Sequence, residues 1–291
     1  REIAPHLYPF EGRFLDLGAV RMHYLDEGEG QPVVAVHGNP TWSFYYRELV
    51  RALRDTHRVV APDHVGCGLS DKPGDDRYQY TLERRVDDFT ALMDHLALDG
   101  LNLVVHDWGG AIGLTWAVRN PARVRRLVVL NTSGFPLPAG KRMPWQLSLV
   151  RDTPLGPVLV RGLNVFARGA TRDACTRVRL TREVRDAYCA PYDSWANRIA
   201  TLRFVQDIPL SPDDPAYPVI SELEQGLSRL ADVPMLICWG GRDFVFDDHF
   251  LDEWRRRFPE AEVHRFADAG HYVMEDASSE IIELVQGFLA R

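Results

Sequence analysis

Residues 105–113 read Val-His-Asp-Trp-Gly-Gly-Ala-Ile-Gly. An acid stands between an apolar run and a pair of glycines, the arrangement that holds a nucleophile on a sharp strand-to-helix turn. A serine at such a turn attacks an acyl carbonyl and leaves an ester that water clears. Asp107 attacking the same carbonyl would leave a mixed anhydride, a poor resting intermediate. Attacking a saturated carbon, it leaves an ordinary ester. The residue type therefore points to displacement of halide, epoxide oxygen or strained lactone oxygen from an sp3 carbon. A helix N-terminus beside Gly109 and Gly110 would favour the charged carboxylate. An N-cap role alone would not call for the flanking pattern.

Three further groups complete a reaction centre in the chain order nucleophile, acid, histidine. His271, in Ala269-Gly270-His271-Tyr272, follows the last expected strand and precedes the final helix. A carboxylate needs no base to attack, so His271 would activate the water that clears the alkyl ester. Asp243, in Trp239-Gly240-Gly241-Arg242-Asp243, would orient His271 and stabilise its imidazolium. Asp247, Asp248 and Asp268 are weaker candidates, and residue 131 is Asn, so no carboxylate competes there. Asn39 and Trp108 offer backbone N–H groups for an oxyanion hole and side-chain N–H donors for a departing anion. The Asn39–Pro40 bond is expected to be cis, in a tight turn. His106 points to the other side of its strand, and His37 braces a loop; both read as structural. Gly66 and Gly68 lack phosphate-loop or dinucleotide spacing and read as a turn. No cluster has metal-ligand spacing, and no cofactor is expected.

The elements that position these groups follow from periodicity. Gly12–Leu17 and Val20–Asp26 read as antiparallel strands. Pro32–His37, Arg58–Pro62, Leu101–Val105, Arg125–Leu130, Pro234–Trp239 and Ala261–Phe266 read as further strands, several of them continuous apolar runs. Helical spacing marks 43–55, 81–97, Ala111–Arg119 and Glu280–Leu289. Strands alternate with helices from 32 to 130 and from 234 to 291, predicting an α/β protein with a mostly parallel sheet covered on both faces. Residues 134–212 break the alternation, with helical segments and no clear strand. They read as a helical cap inserted between core segments 1–133 and 213–291, over the sheet edge where open α/β sheets place their sites. Phe135, Trp145, Leu149, Phe166, Trp195, Phe204 and Val205 are expected to line an apolar pocket there.

Composition sets the class. The chain has 291 residues, 45% hydrophobic and 26% charged, with net charge −7. That suits a globular enzyme and argues against nucleic-acid binding. Cys67, Cys175, Cys189 and Cys238 form no Cys-x-x-Cys and read as reduced thiols, favouring a cytoplasmic setting. No apolar run reaches the ~18 residues of a spanning helix. The first residues do not read as a signal peptide.

The motifs resemble those of the haloalkane dehalogenase family of α/β-hydrolases. They are His37-Gly38-Asn39-Pro40-Thr41-Trp42-Ser43, Asp63–Pro73, Val105–Gly110 and Ala269–Tyr272, and the resemblance spans almost the whole chain. It implies Asp107 as nucleophile, His271 as base, Asp243 as acid, and Asn39 with Trp108 as leaving-group donors, in the manner of the third subfamily. Within that branch Phe44–Arg47, Pro144–Leu147, Asp152–Gly156 and Tyr192–Leu210 are most similar to the OleB β-lactone decarboxylases of bacterial olefin synthesis. Ser133-Gly134 departs from the two small apolar residues of that pattern. The resemblance implies opening of a long-chain cis-β-lactone to an alkene and CO2, a small apolar substrate, and assembly with other olefin-pathway enzymes. The alternative is hydrolysis of a carbon–halogen bond, and the five catalytic positions do not separate the two. Epoxide hydrolysis ranks lower: it needs cap acids, and only Tyr188 and Tyr192 are spaced for the role. A ligand receptor without turnover ranks last, since the full nucleophile, base and acid set is present. The sequence leaves open which lactone carbon Asp107 attacks, the preferred chain length and the oligomeric state.

Overall fold

The computed structural model describes residues 3–291. Eight strands form one sheet: β1 (Arg13–Asp16), β2 (Arg21–Glu27), β3 (Gln31–Val36), β4 (His57–Pro62), β5 (Leu101–His106), β6 (Val124–Leu130), β7 (Met235–Gly240) and β8 (Glu262–Phe266). Their order is β1-β2-β4-β3-β5-β6-β7-β8, antiparallel for β1–β2 and β2–β4 and parallel elsewhere. This is the expected α/β architecture.

Strand alternation builds two cores. Val34, Val36, Leu103 and Val105 face the helices Leu82–His95, Trp108–Arg119, Tyr217–Gly226 and Asp248–Arg257. Val33, Ala35, Val104 and Val128 face Arg47–Leu53 and Ser278–Leu289. Covered on both sides, β5 has no exposed residue, which is why its sequence is a continuous apolar run.

Three core helices escape the sequence reading, the shortest being Val273–Asp276. Asp248–Arg257 buries only Phe250, Leu251 and Trp254, too narrow a stripe to stand out among its charges. Tyr217–Gly226 follows a Pro-rich stretch, and the sequence reading assigns no element there. The 43–55 helix opens as a tighter turn, Ser43–Tyr46, before Arg47–Leu53. The helix expected from Ala111 begins at Trp108, directly after the nucleophile position.

Residues 134–212 supply helices Trp145–Asp152, Val165–Asp173, Arg182–Cys189 and Ile199–Gln206 and no strand. No described helix is long and apolar enough to cross a membrane. The Gly66/Gly68 loop is a turn with positive φ at both glycines. It wraps an internal anion. Asp63 accepts the Ser43 and Leu69 N–H groups at 2.6 and 2.8 Å and pairs with His23 Nδ1 at 2.8 Å.

Burial would raise the Asp63 carboxyl, but His23 and the N–H donors outweigh it and hold it at about 2. Its stabilisation is therefore present above the unfolded value of 3.8 and lost as pH falls towards 2. Asp63→Ala should cost about 3–5 kcal/mol, because His23 and two N–H groups stay buried without a partner. Urea unfolding checks this, and the difference from the parent protein should shrink between pH 4 and pH 2. A loss below about 1 kcal/mol would contradict the role.

Candidate active site

β5 ends at His106 and the next helix begins at Trp108. Asp107 makes the reversal alone, at φ 51° and ψ −128°. Holding a residue with a Cβ there costs on the order of 1–3 kcal/mol, which the surroundings must offset. Two glycines let the chain close in. A Cβ on Gly109 would lie 2.0 Å from the Val36 carbonyl oxygen, and one on Gly38 would lie 2.0 Å from Asp107 Oδ1. The Asp107 N–H donates to the Asn131 carbonyl at 3.2 Å, and Thr132 Oγ1 donates to the Asp107 carbonyl. The elbow is thereby fastened to the end of β6.

The two carboxylate oxygens of Asp107 differ. Oδ1 accepts the Asn39 backbone N–H at 2.6 Å, and the Trp108 N–H also bonds the carboxylate. Oδ2 lies 3.6 Å from His271 Nε2. His271 Nδ1 donates to Asp243 Oδ2 at 2.7 Å. Asp243 Oδ1 accepts the N–H groups of Val245 and Phe246 at 2.7 and 3.1 Å. With its Nδ1 proton committed to Asp243, His271 presents Nε2 to Asp107, as a lone pair when neutral and as an N–H donor when protonated. Burial pushes the Asp107 carboxyl up, and the pull of His271 and the two N–H donors does not cancel that push. Burial pulls His271 down, but the carboxylates of Asp243 and Asp107 win and raise it above its ordinary 6.5.

The other expected residues gather at the same place. Asn39, Trp108, Asp107 and His271 line one cavity of about 540 Å³. The Asn39–Pro40 bond is cis. Asn39 Nδ2 donates one hydrogen to the Thr201 carbonyl at 3.1 Å, which leaves its second hydrogen free. Phe135, Trp145, Leu149, Phe166 and Val205 line the cavity as expected, while Trp195 and Phe204 do not. Trp195 is 49% exposed, with the Arg161 guanidinium 4.7 Å from its ring centre. Phe204 is fully buried between Trp108 and Arg85, 5.3 Å from the indole and 3.7 Å from the guanidinium carbon. Successive helical residues point roughly 100° apart. Val205 therefore meets the cavity and Phe204 packs behind Trp108. Ser133 lines the cavity, its Oγ tied to the Phe135 backbone.

Several supporting residues are not legible from sequence. Asn131 Oδ1 accepts the Gly240 N–H at 2.7 Å and Nδ2 returns a bond to the Gly240 carbonyl at 3.1 Å, fixing the strand end before Asp243. Its place after a strand is a signal, read above only as the lack of a competing acid. Asp276 accepts N–H groups from Gly270 at 2.6 Å, Thr176 at 2.8 Å, Val178 at 2.9 Å and Arg177 at 3.1 Å. It ties the loop before His271 to the 176–178 stretch. His106 donates from Nε2 to the His271 carbonyl at 2.9 Å, a brace as expected. His37 Nε2 accepts the His64 N–H at 3.1 Å. Tyr188 bonds Glu275, Tyr192 bonds the Thr41 carbonyl at 3.3 Å, and neither lines the cavity.

Residues 31–278 match the α/β hydrolase fold family. The chain is 54% identical over 284 residues to a cis-3-alkyl-4-alkyloxetan-2-one decarboxylase of Shewanella oneidensis, covering 97% of this chain and 89% of that one. A protein of the same name from Xanthomonas campestris pv. campestris is 48% identical over 98% of this chain and 97% of that one. A haloalkane dehalogenase of Mycolicibacterium paratuberculosis is 37% identical over 96% and 92%. Among solved structures, a point mutant of the haloalkane dehalogenase DatA from Agrobacterium tumefaciens C58 superposes with a TM-score of 0.88. It is 26% identical, over 99% of this chain and 100% of that one. The fold, the acid at its elbow and these full-length matches agree: the chain belongs to the α/β hydrolase fold family, in the branch that holds the cis-3-alkyl-4-alkyloxetan-2-one decarboxylases and the haloalkane dehalogenases.

Proposed function

We propose that this protein is a β-lactone decarboxylase, converting a long-chain cis-3,4-dialkyl β-lactone to an alkene and CO2. The supporting observation is the free Oδ2 of Asp107 facing an apolar cavity of about 540 Å³. That volume is in the range that takes a drug-sized ligand and suits two alkyl chains. Relatives named for lactone decarboxylation stand at 54% and 48% identity, against 37% for the dehalogenase. In this reading residues 134–212 are the cap and the flanking segments the core. The enzyme acts in the cytoplasm, consistent with four free thiols, alongside other enzymes of olefin synthesis.

The chemistry follows from the two oxygens. Oδ2 attacks the ring sp3 carbon that carries the lactone oxygen, and that C–O bond breaks with release of ring strain. The ring oxygen leaves as a carboxylate, held by the Asn39 amide and the Trp108 indole N–H. The intermediate is an ordinary ester of Asp107, whereas attack at the acyl carbon would give an anhydride. The bond to the carboxylate then breaks. Its electron pair forms the alkene while the ester C–O bond opens and returns Asp107 as an anion. Both lactone oxygens leave in CO2, and neither water nor a proton is consumed. In its protonated form His271 serves this path by favouring the ionised Asp107 carboxylate. In the dehalogenase reading it also activates water against the ester, with Oδ1 as the oxyanion under the Asn39 and Trp108 N–H groups.

The two readings part at His271. Asp107→Asn should abolish lactone turnover. His271→Ala should keep part of it, yet should trap an alkyl group on Asp107 after exposure to a 1-bromoalkane, seen by intact mass and peptide mapping. An unlabelled Asp107 would remove the nucleophile assignment for haloalkanes. Comparing kcat/KM for a cis-dialkyl β-lactone and a matched 1-bromoalkane, with products identified, settles the order. Efficient halide release with no alkene from the lactone would make the protein a dehalogenase.

The anion donors give a separate expectation. Asn39→Ala or Trp108→Phe should lower the rate about 10²–10³-fold. Folded variants within a few-fold of the parent would count against the role.

Protonation gives the third. Lactone turnover needs ionised Asp107, so it should fall as pH drops through a value above 3.8. Ester hydrolysis also needs neutral His271, so any haloalkane activity should already fall through a value above 6.5. Parallel pH profiles of the two substrates test this, and coincident acid limbs would show that both paths need the neutral base.

A further inference from the structure

Charge is segregated along this chain. Residues 134–212 hold 12 Lys+Arg against 6 Asp+Glu, a net +6, leaving 22 against 35 in the remainder, a net −13. Exposed apolar surface is segregated the same way. Of the twelve large apolar side chains with the greatest exposure, nine belong to this segment, which is little more than a quarter of the chain. Leu137, Trp145, Val165 and Leu210 among them, with Phe244, also line the cavity. The route to Asp107 therefore opens through an apolar rim.

Cations share this surface. Helix Val165–Asp173 gives Val165, Phe166, Gly169, Ala170 and its one acid, Asp173, to the cavity and carries exposed Arg168 and Arg172. Arg142 is exposed near the rim, and none of these three arginines forms an ion pair among the described residues. Trp195 is exposed beside Val158, under Arg161. Exposed apolar side chains, tryptophans at 70% and 49% exposure and unpaired arginines together are the composition of a face that lies in a headgroup region. A second copy fits poorly, because face-to-face pairing sets one basic surface against another.

We propose that the 134–212 face docks on an anionic lipid surface and that long-chain substrate enters the cavity from the bilayer through the apolar rim. The entry half rests on the lactone reading above; the docking half does not. The charge asymmetry would also orient the molecule, since the acidic remainder is repelled by the same surface.

The test is sedimentation of the full chain with vesicles of phosphatidylcholine alone and of phosphatidylcholine with equal phosphatidylglycerol, without substrate. Binding to the anionic vesicles should be at least about tenfold tighter, weaken in 0.5 M salt, and shift tryptophan emission to the blue. Leu155→Glu/Leu163→Glu and Arg168→Glu/Arg172→Glu, at exposed positions outside the cavity, should each reduce binding to the neutral-vesicle level. Both should leave turnover of detergent-dispersed lactone unchanged. Equal or absent binding to the two vesicle types, or variants that bind like the parent, would overturn the proposal. So would concentration-dependent self-association abolished by the same variants, which would make the face a contact between copies. Because vesicle binding is read without substrate, it stands or falls separately from the lactone assignment.

Discussion

The hydrogen bond from the Asn39 backbone to Asp107 Oδ1, 2.6 Å long, decides what this fold can do. It occupies one carboxylate oxygen and leaves the other 3.6 Å from His271 Nε2, in a residue that lines the cavity. That asymmetry requires the β3 loop to pass so close to the elbow that only glycine fits at position 38. It also requires Asp107 to keep a backbone conformation that an acid adopts only under constraint. The constraint comes from the end of β6, through Asn131 and Thr132, and from the end of β3, whose Val36 carbonyl lies against Gly109.

The same economy of contacts holds the base. His271 lies in a loop between β8 and the last helices, and loops alone do not fix a ring to a fraction of an ångström. Three groups do so here: Asp243 on its Nδ1, His106 on its carbonyl, and Asp276 on the preceding glycine. Asp276 simultaneously gathers three N–H groups from 176–178. The position of the base and the seating of the inserted helices are therefore one arrangement, and a shift in either must be felt by the other. Arg47 and Glu275 reinforce this at 2.5–2.9 Å, with Tyr188 of helix Arg182–Cys189 as the third member.

Water exclusion explains why the inserted helices matter to a carboxylate nucleophile. In water the anion is solvated and weak. In an apolar cavity its solvation is supplied by the Asn39 N–H on Oδ1, the nearby Trp108 N–H and a histidine beside Oδ2. Burial raises the carboxyl group, and the nearby histidine and N–H donors limit that rise. The apolar lining of the cavity keeps this balance dry.

The residues that gather at the candidate site were legible in the sequence. An acid between a strand and a glycine pair, a histidine after the last strand and an Asn–Pro turn are local patterns, since each is imposed by the backbone of its own segment. The central strands were legible because burial on both faces leaves apolar residues to choose from. What the sequence left undecided is relational. Phe204 and Val205 are neighbours of similar character, and only the rotation of their helix against Trp108 puts one behind the indole and the other in the cavity. Trp195 looked like a lining residue, yet it lies on the exposed side beside Arg161. Asn131 and Asp276 make their bonds to residues about 110 and 100 positions away, and no local pattern encodes such a partner. Residue type limited what chemistry an acid at position 107 could do; packing across the sheet edge decided which of its oxygens is bonded by Asn39 and which lies near His271, because only there do separate segments meet at hydrogen-bond distance.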